Sequence, residues 1–282
     1  MRALIASLLI STALTFGAHA DPADSVSEFY SGHAALQQGD ADLAIQHFSK
    51  SLQMGHLEPL QVAYVYYYRA IAYQRLDRHQ DAVDGYTQSL SLNALPPRVQ
   101  AALYYNRAIA LDHLNNLERA VKDYSSAIGM KPDYAEAYMN RGNAYRKLGD
   151  NDQALRDYEA SANYGNPIKH LPYYGEGLIY EAKGDKQNAF KAYQTALALA
   201  PDFEPARLKV DGFRSAGMTP TVGSVASASA LNSATLRPTQ VAQNSVPQSS
   251  HTMMTGAGVT GATAAFSGSS FAPPNPSGSG LS

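Results

Sequence analysis

Tyr138-Met-Asn-Arg-Gly-Asn-Ala-Tyr-Arg-Lys-Leu-Gly-Asp150, continued through Gln153-Ala-Leu-Arg-Asp-Tyr158, reads as one complete helix–turn–helix unit. Tyr138, Gly142 and Tyr145 share one face of a first helix, because steps of three and four residues complete about one turn. Gly149 ends that helix, since glycine enters the left-handed region without a Cβ clash. Asp150 stands where an N-cap is needed for a second helix, whose core face carries Ala154 and Tyr158. Small residues at Gly142 and Ala154 let the two helices approach closely. A lone helix pair cannot bury both of its apolar faces, so this unit requires neighbours.

The neighbours are found by searching for the Ala-x-x-x-aromatic pair of Ala154 and Tyr158. It recurs as Ala44/Phe48, Ala82/Tyr86, Ala120/Tyr124 and Ala189/Tyr193, at intervals of 38, 38, 34 and 35 residues. Twelve residues before each alanine stands a small residue: Gly32, Ala70, Ala108, Gly142 or Gly177. The turns carry Gly39, Asp77, Asn115, Gly149 and Gly184, all residue types that tolerate positive φ. Asp40, Asn116, Asp150 and Asp185 follow as expected caps, with Arg78 the departure. Pro132 and Pro201 close two of the units. A period of this length marks a helical repeat array. The pattern resembles the tetratricopeptide repeat (TPR) family over residues 25–201. The resemblance implies an all-α fold: a right-handed α-solenoid of five units plus a capping helix.

The expected units span 25–58, 63–96, 101–134, 135–168 and 170–203. Ser25-Val-Ser-Glu28 reads as a capping box opening the first unit. Insertions around Pro59 and around Pro96-Pro97 are expected to extend the preceding second helix or to loosen the connection. Arg107 and Arg141 precede Asp123 and Asp157 by sixteen residues, which predicts ion pairs between the two helices of units three and four. Unit two keeps Arg69 but has Gly85 at the matching position. Asp202 is expected to cap a last helix over 203–214, with Phe203, Ala206, Val210 and Phe213 on one face and Gly217 ending it.

Two flanking segments differ in kind. Arg2, the apolar run Ala3–Phe16 and Ala18-His-Ala20 read as a secretory signal peptide over 1–20. The run is short of the ~20 residues of a membrane span. The protein is therefore expected to be exported, to the periplasm or beyond the cell, with no transmembrane segment after cleavage. From 215 to 282 there is no Asp, Glu or Lys, and serine, alanine, glycine, threonine and proline dominate. Such a composition cannot bury enough apolar surface to offset chain entropy, which predicts a disordered tail.

Composition narrows the function. The formal net charge is −2, and loss of Arg2 takes it from −2 to −3, which argues against nucleic acid, whose binding needs a basic footprint. With no cysteine there are neither disulfides nor thiol catalysis. The histidines show no metal-ligand spacing, and neither a phosphate-binding loop nor a nucleophile elbow occurs. Gly256-Ala-Gly258-Val-Thr-Gly261 matches the dinucleotide fingerprint in letters, but that loop works only between a strand and a helix. No catalytic residue, metal or cofactor is expected.

What remains is a surface. In the family resembled, the first helices line a concave groove that binds an extended or helical peptide. Carried over, this puts Phe29, Tyr67, Tyr105, Met139 and Tyr174 in one row, with Tyr64, Tyr68, Asn106, Asn140, Asn143 and Arg146 beside it. Tyrosine combines a rigid apolar face with a polar tip, and the asparagines can hydrogen-bond a peptide backbone. The same rings also suit packing between helices. Tyr66, Tyr73, Tyr104, Tyr138, Tyr145 and Tyr158 are assigned to packing, and Tyr64, Tyr67 and Tyr105 stay open between the two roles. Some family members clamp chaperone C-termini with lysines, but Tyr67 and Tyr105 stand where those would be, so that subtype is not expected. The reading is a non-enzymatic scaffold or adaptor of the cell envelope that binds a protein or peptide partner. A self-assembling or surface-attached structural protein, and hence a homo-oligomer, is the alternative; an envelope hydrolase ranks below both.

Overall fold

The computed structural model describes residues 22–219. The expected signal peptide lies outside the described residues, as does the expected tail from residue 220 on; the tail does not begin at 215 as expected, since Ser215 ends the last helix and Met218 packs against the cluster of Phe190, Tyr193 and Val210.

Eleven helices are formed among the described residues, in five consecutive pairs and a final single helix. They are α1 (Pro22–Gln38), α2 (Ala41–Met54), α3 (Pro59–Arg75), α4 (His79–Ser91), α5 (Pro97–His113), α6 (Leu117–Met130), α7 (Ala135–Leu148), α8 (Asn151–Asn163), α9 (His170–Ala182), α10 (Lys186–Leu199) and α11 (Glu204–Ser215). Each helix packs on the one before and the one after it. The first helices of neighbouring units also touch one another, α1 to α3 and onward to α9. That contact places the first helices on the inner side of the curve. The fold is an α-solenoid.

The turn chemistry appears where the sequence places it. Gly39, Asp77, Asn115, Gly149 and Gly184 all have positive φ, between 55° and 88°. Asp40, Asp150 and Asp185 accept from the backbone N–H three residues on, at 3.0, 3.2 and 3.1 Å. Asn116 occupies its cap position without a side-chain cap bond. Gly217, at φ 85°, follows the end of α11.

Three local expectations are corrected. Ser25 does not cap a helix; it lies inside α1, buried, and its carbonyl accepts from Ser51 Oγ at 2.7 Å. Glu28 instead reaches across to His47 and Lys50 on α2. The capping box forms at Glu58 and Gln61, at the start of α3. The insertions leave the second helices unchanged and lengthen the first helices that follow, since α3 and α5 have 17 residues against 14 in α7. Pro59 and Pro97 explain this: proline suits the first turn, where its missing N–H has no partner to lose. The N-cap of α11 is Phe203 rather than Asp202.

The five alanines of the repeat pattern are fully buried, and the five aromatic rings paired with them are at most 1% exposed. Burying each ring contributes about 2 kcal/mol. The apolar core runs continuously through units one to three, then continues as a cluster around Met139, Tyr158 and Ile179 and another around Phe190, Tyr193 and Val210.

Candidate functional site on the inner face

The inner face divides into a closed aromatic half and a more open polar half. Tyr64, Tyr67 and Tyr68 on α3, with Tyr105 on α5, are all buried. Tyr64 stacks on Tyr68, whose ring also meets Phe48 and, edge-on, His33. Burial, followed by the nearby Tyr64 hydroxyl, pushes the Tyr68 hydroxyl up to about 12. Burial likewise drives the Tyr67 and Tyr105 hydroxyls well above their ordinary value. The fold draws these four tyrosines further into the stack than a groove lining read from sequence implies.

Asn106 and Asn140 explain how the hydroxyls are accommodated. The buried Asn106 amide donates to Tyr67 Oη at 3.4 Å, and the Asn140 amide donates to Tyr105 Oη at 3.0 Å. Each asparagine thus reaches back one unit to the tyrosine of the preceding first helix. The pair forms an inter-unit rung, so Asn106 is committed to the stack.

The open half lies on α7. Asn140, Asn143 and Arg146 follow one another at intervals of three, on one face of that helix, and all three are half-buried. Asn143 Oδ1 accepts from Tyr158 Oη at 2.8 Å, which leaves its amide group for other contacts. Arg146 lowers the Tyr158 hydroxyl against the rise that burial causes, yet its own Nε is buried with no acceptor. Lys147, next in sequence, pairs with Asp112 of α5 at 2.7 Å. Tyr174 is half-buried on α9, with its ring 5.5 Å from Tyr193 and edge-on to Phe203 at 5.1 Å. Its ring therefore packs toward α10 and the start of α11. What α7 can do is donate hydrogen bonds to carbonyl or carboxylate oxygens. Among the described residues, no three His, Asp or Glu side chains come together as a metal site.

A second polar system stabilises the stack behind this face. Arg107 forms two hydrogen bonds to Asp123, at 2.7 and 2.8 Å, and Arg141 does the same to Asp157 at 2.8 and 2.7 Å. These are the pairs that the sixteen-residue spacing predicts. The sequence reading missed a third bond: each arginine also donates to a hydroxyl of the preceding unit. Arg69 reaches Ser49, Arg107 reaches Thr87 and Arg141 reaches Ser125, at 3.2, 3.1 and 2.9 Å. The signal was available, since each hydroxyl directly follows the buried aromatic residue of its unit. With Gly85 opposite it, Arg69 keeps a buried Nε without an acceptor.

Helix pairs of this geometry, stacked with a small residue against an aromatic ring in each, define a tetratricopeptide solenoid. Two family models, described as TPR repeat and tetratricopeptide repeat, match residues 113–149 and 139–202. The crystal structure of MamA superposes with a TM-score of 0.56 at 24% identity, over 62% of this chain and 91% of that one. YrrB, described as a TPR protein with an unusual peptide-binding site, gives 0.57 at 19% identity over 66% and 91%. A tetratricopeptide repeat protein from Parabacteroides merdae gives 0.60 at 18% identity over 74% and 77%. These likenesses establish the fold. No curated protein sequence matches the chain.

Proposed function

We propose that the chain is a non-catalytic scaffold or adaptor whose inner groove takes an extended or helical segment of a protein partner. The observation that carries this is the donor row Asn140, Asn143 and Arg146, half-buried on one face of α7, where Tyr158 uses the Asn143 oxygen and leaves its amide group for a ligand oxygen. The tetratricopeptide fold supports a protein partner, and YrrB, of similar fold, is described as binding peptide. The signal-like N-terminus supports an exported protein, working in the periplasm or outside the cell.

The test is affinity capture from envelope extract with the purified mature chain, beside Asn140→Ala with Arg146→Ala, after matching their helicity. Loss of the captured partner from the double variant is the expected result. Equal capture by both would overturn the groove assignment. Capture of nothing, with mass rising with concentration, would favour the self-assembly reading, for which Leu208 on α11, 64% exposed, is the first surface to alter.

A further inference from the structure

The arginine–hydroxyl bond recurs at three successive unit junctions and reverses its chemistry at the fourth. At each junction the first partner is the residue before the small residue of the first helix. The second is the residue after the buried aromatic of the preceding unit. These partners are Arg69 and Ser49, then Arg107 and Thr87, then Arg141 and Ser125, all hydrogen-bonded. Between units four and five the same two places hold Glu176 and Glu159. Ala192 of α10 stands where units three and four supply Asp123 and Asp157 to the arginine. A donor–acceptor contact is thereby replaced by two carboxylates.

The junction is otherwise tightly made. A Cβ on Gly175 of α9 would lie 2.6 Å from Tyr158 Cζ, so α9 rests directly on the Tyr158 ring of α8. Across the exposed edge, Lys183 and Asp152 pair at 2.8 Å. We propose that the α8–α9 junction is a proton-operated joint: a protonated Glu176 beside the Glu159 carboxylate holds the last unit and α11 in place, and ionisation of Glu176, which sets two carboxylates against each other, loosens it.

The surroundings support this. Burial first, and the Glu159 charge second, raise the Glu176 carboxyl to about 7. Tyr158 and Glu159 face it from α8, and Tyr173 and Tyr180 feel its charge from its own helix. Arg146 of α7 acts on Tyr158 and Tyr193. Glu176 has a folded value above its unfolded one, so its contribution to stability is complete below about 4.5 and is lost as pH rises through about 7. His170, also on α9, is lowered by burial and so destabilises only on acidification. A window from pH 6.5 to 8.5 separates the two.

The experiment is thermal unfolding of the mature full chain at pH 6.5 and 8.5, with hydrogen exchange resolved by helix and corrected for the intrinsic pH effect. The wild type should melt several degrees lower at pH 8.5, with faster exchange confined to α9–α11. Glu176→Gln should abolish that difference, and Glu159→Gln, at an exposed position, should shrink it. Glu176→Arg with Glu159→Ser, which rebuilds the upstream contact, should raise the melting temperature at pH 8.5. An unchanged pH difference in both glutamine variants, or faster exchange spread evenly over all units, would overturn the proposal. If Glu176→Gln fails to fold, the Glu159→Gln comparison decides.

Discussion

Gly177 shows how closely single residues set the helix spacing. A Cβ there would sit 2.4 Å from Cε1 of Tyr193, a buried ring whose hydroxyl donates to Glu181 at 2.6 Å. Gly177→Ala gains helix propensity but forces that anchored ring to move, so a net loss of about 1–2 kcal/mol is expected in urea unfolding. The ion pairs rank themselves by burial. Asp157 is 4% exposed and accepts two bonds from Arg141, so Asp157→Ala strands a half-buried guanidinium and should cost about 3 kcal/mol. Asp152→Ala breaks the exposed pair with Lys183 and should leave the urea midpoint nearly unchanged in the same measurement. The small residues, the positive-φ turns and both Arg–Asp pairs were legible in the sequence, because each depends on spacing within one unit. The hydroxyl partners were harder to see, because each bond joins residues of different units.

At the scale of elements, unit two lacks one contact that units three and four possess. Arg69 already donates to Ser49 and lies over Tyr66 and Tyr73, with centroids 5.4 and 5.8 Å away. Only the carboxylate is missing. A Cβ on Gly85 would lie 3.0 Å from Ala70 Cβ, which is tight, yet unit three combines Ala108 with Asp123 at the same two places. Gly85→Asp should therefore stabilise the protein by about 1 kcal/mol, seen as a higher melting temperature. No gain would mean that α3 and α4 cannot separate by the few tenths of an ångström required. Helix lengths were less legible than helix pairing. Pro59 and Pro97 mark breaks in the sequence, but the direction in which the chain continues depends on which helix uses the proline as its first turn.

At the scale of the whole molecule, the inner face was legible as a row of positions but not as a surface. Tyr67, Tyr105 and Asn106 fall in register with the expected groove, yet the stacking of neighbouring first helices buries them. That burial follows from the curvature of the entire array, which no single unit encodes. On α7 the register and the exposure agree, leaving Asn140, Asn143 and Arg146 half-buried on the inner side. Recognition is therefore proposed on α7, a first helix in the middle of the solenoid. The most direct test is helix-resolved hydrogen exchange of the chain with and without a saturating peptide from its captured partner. Protection centred on α7, and lost when Arg146 is changed to Ala, is the predicted result. Protection confined to the second helices α4, α6 and α8, with α7 unaltered, would contradict it.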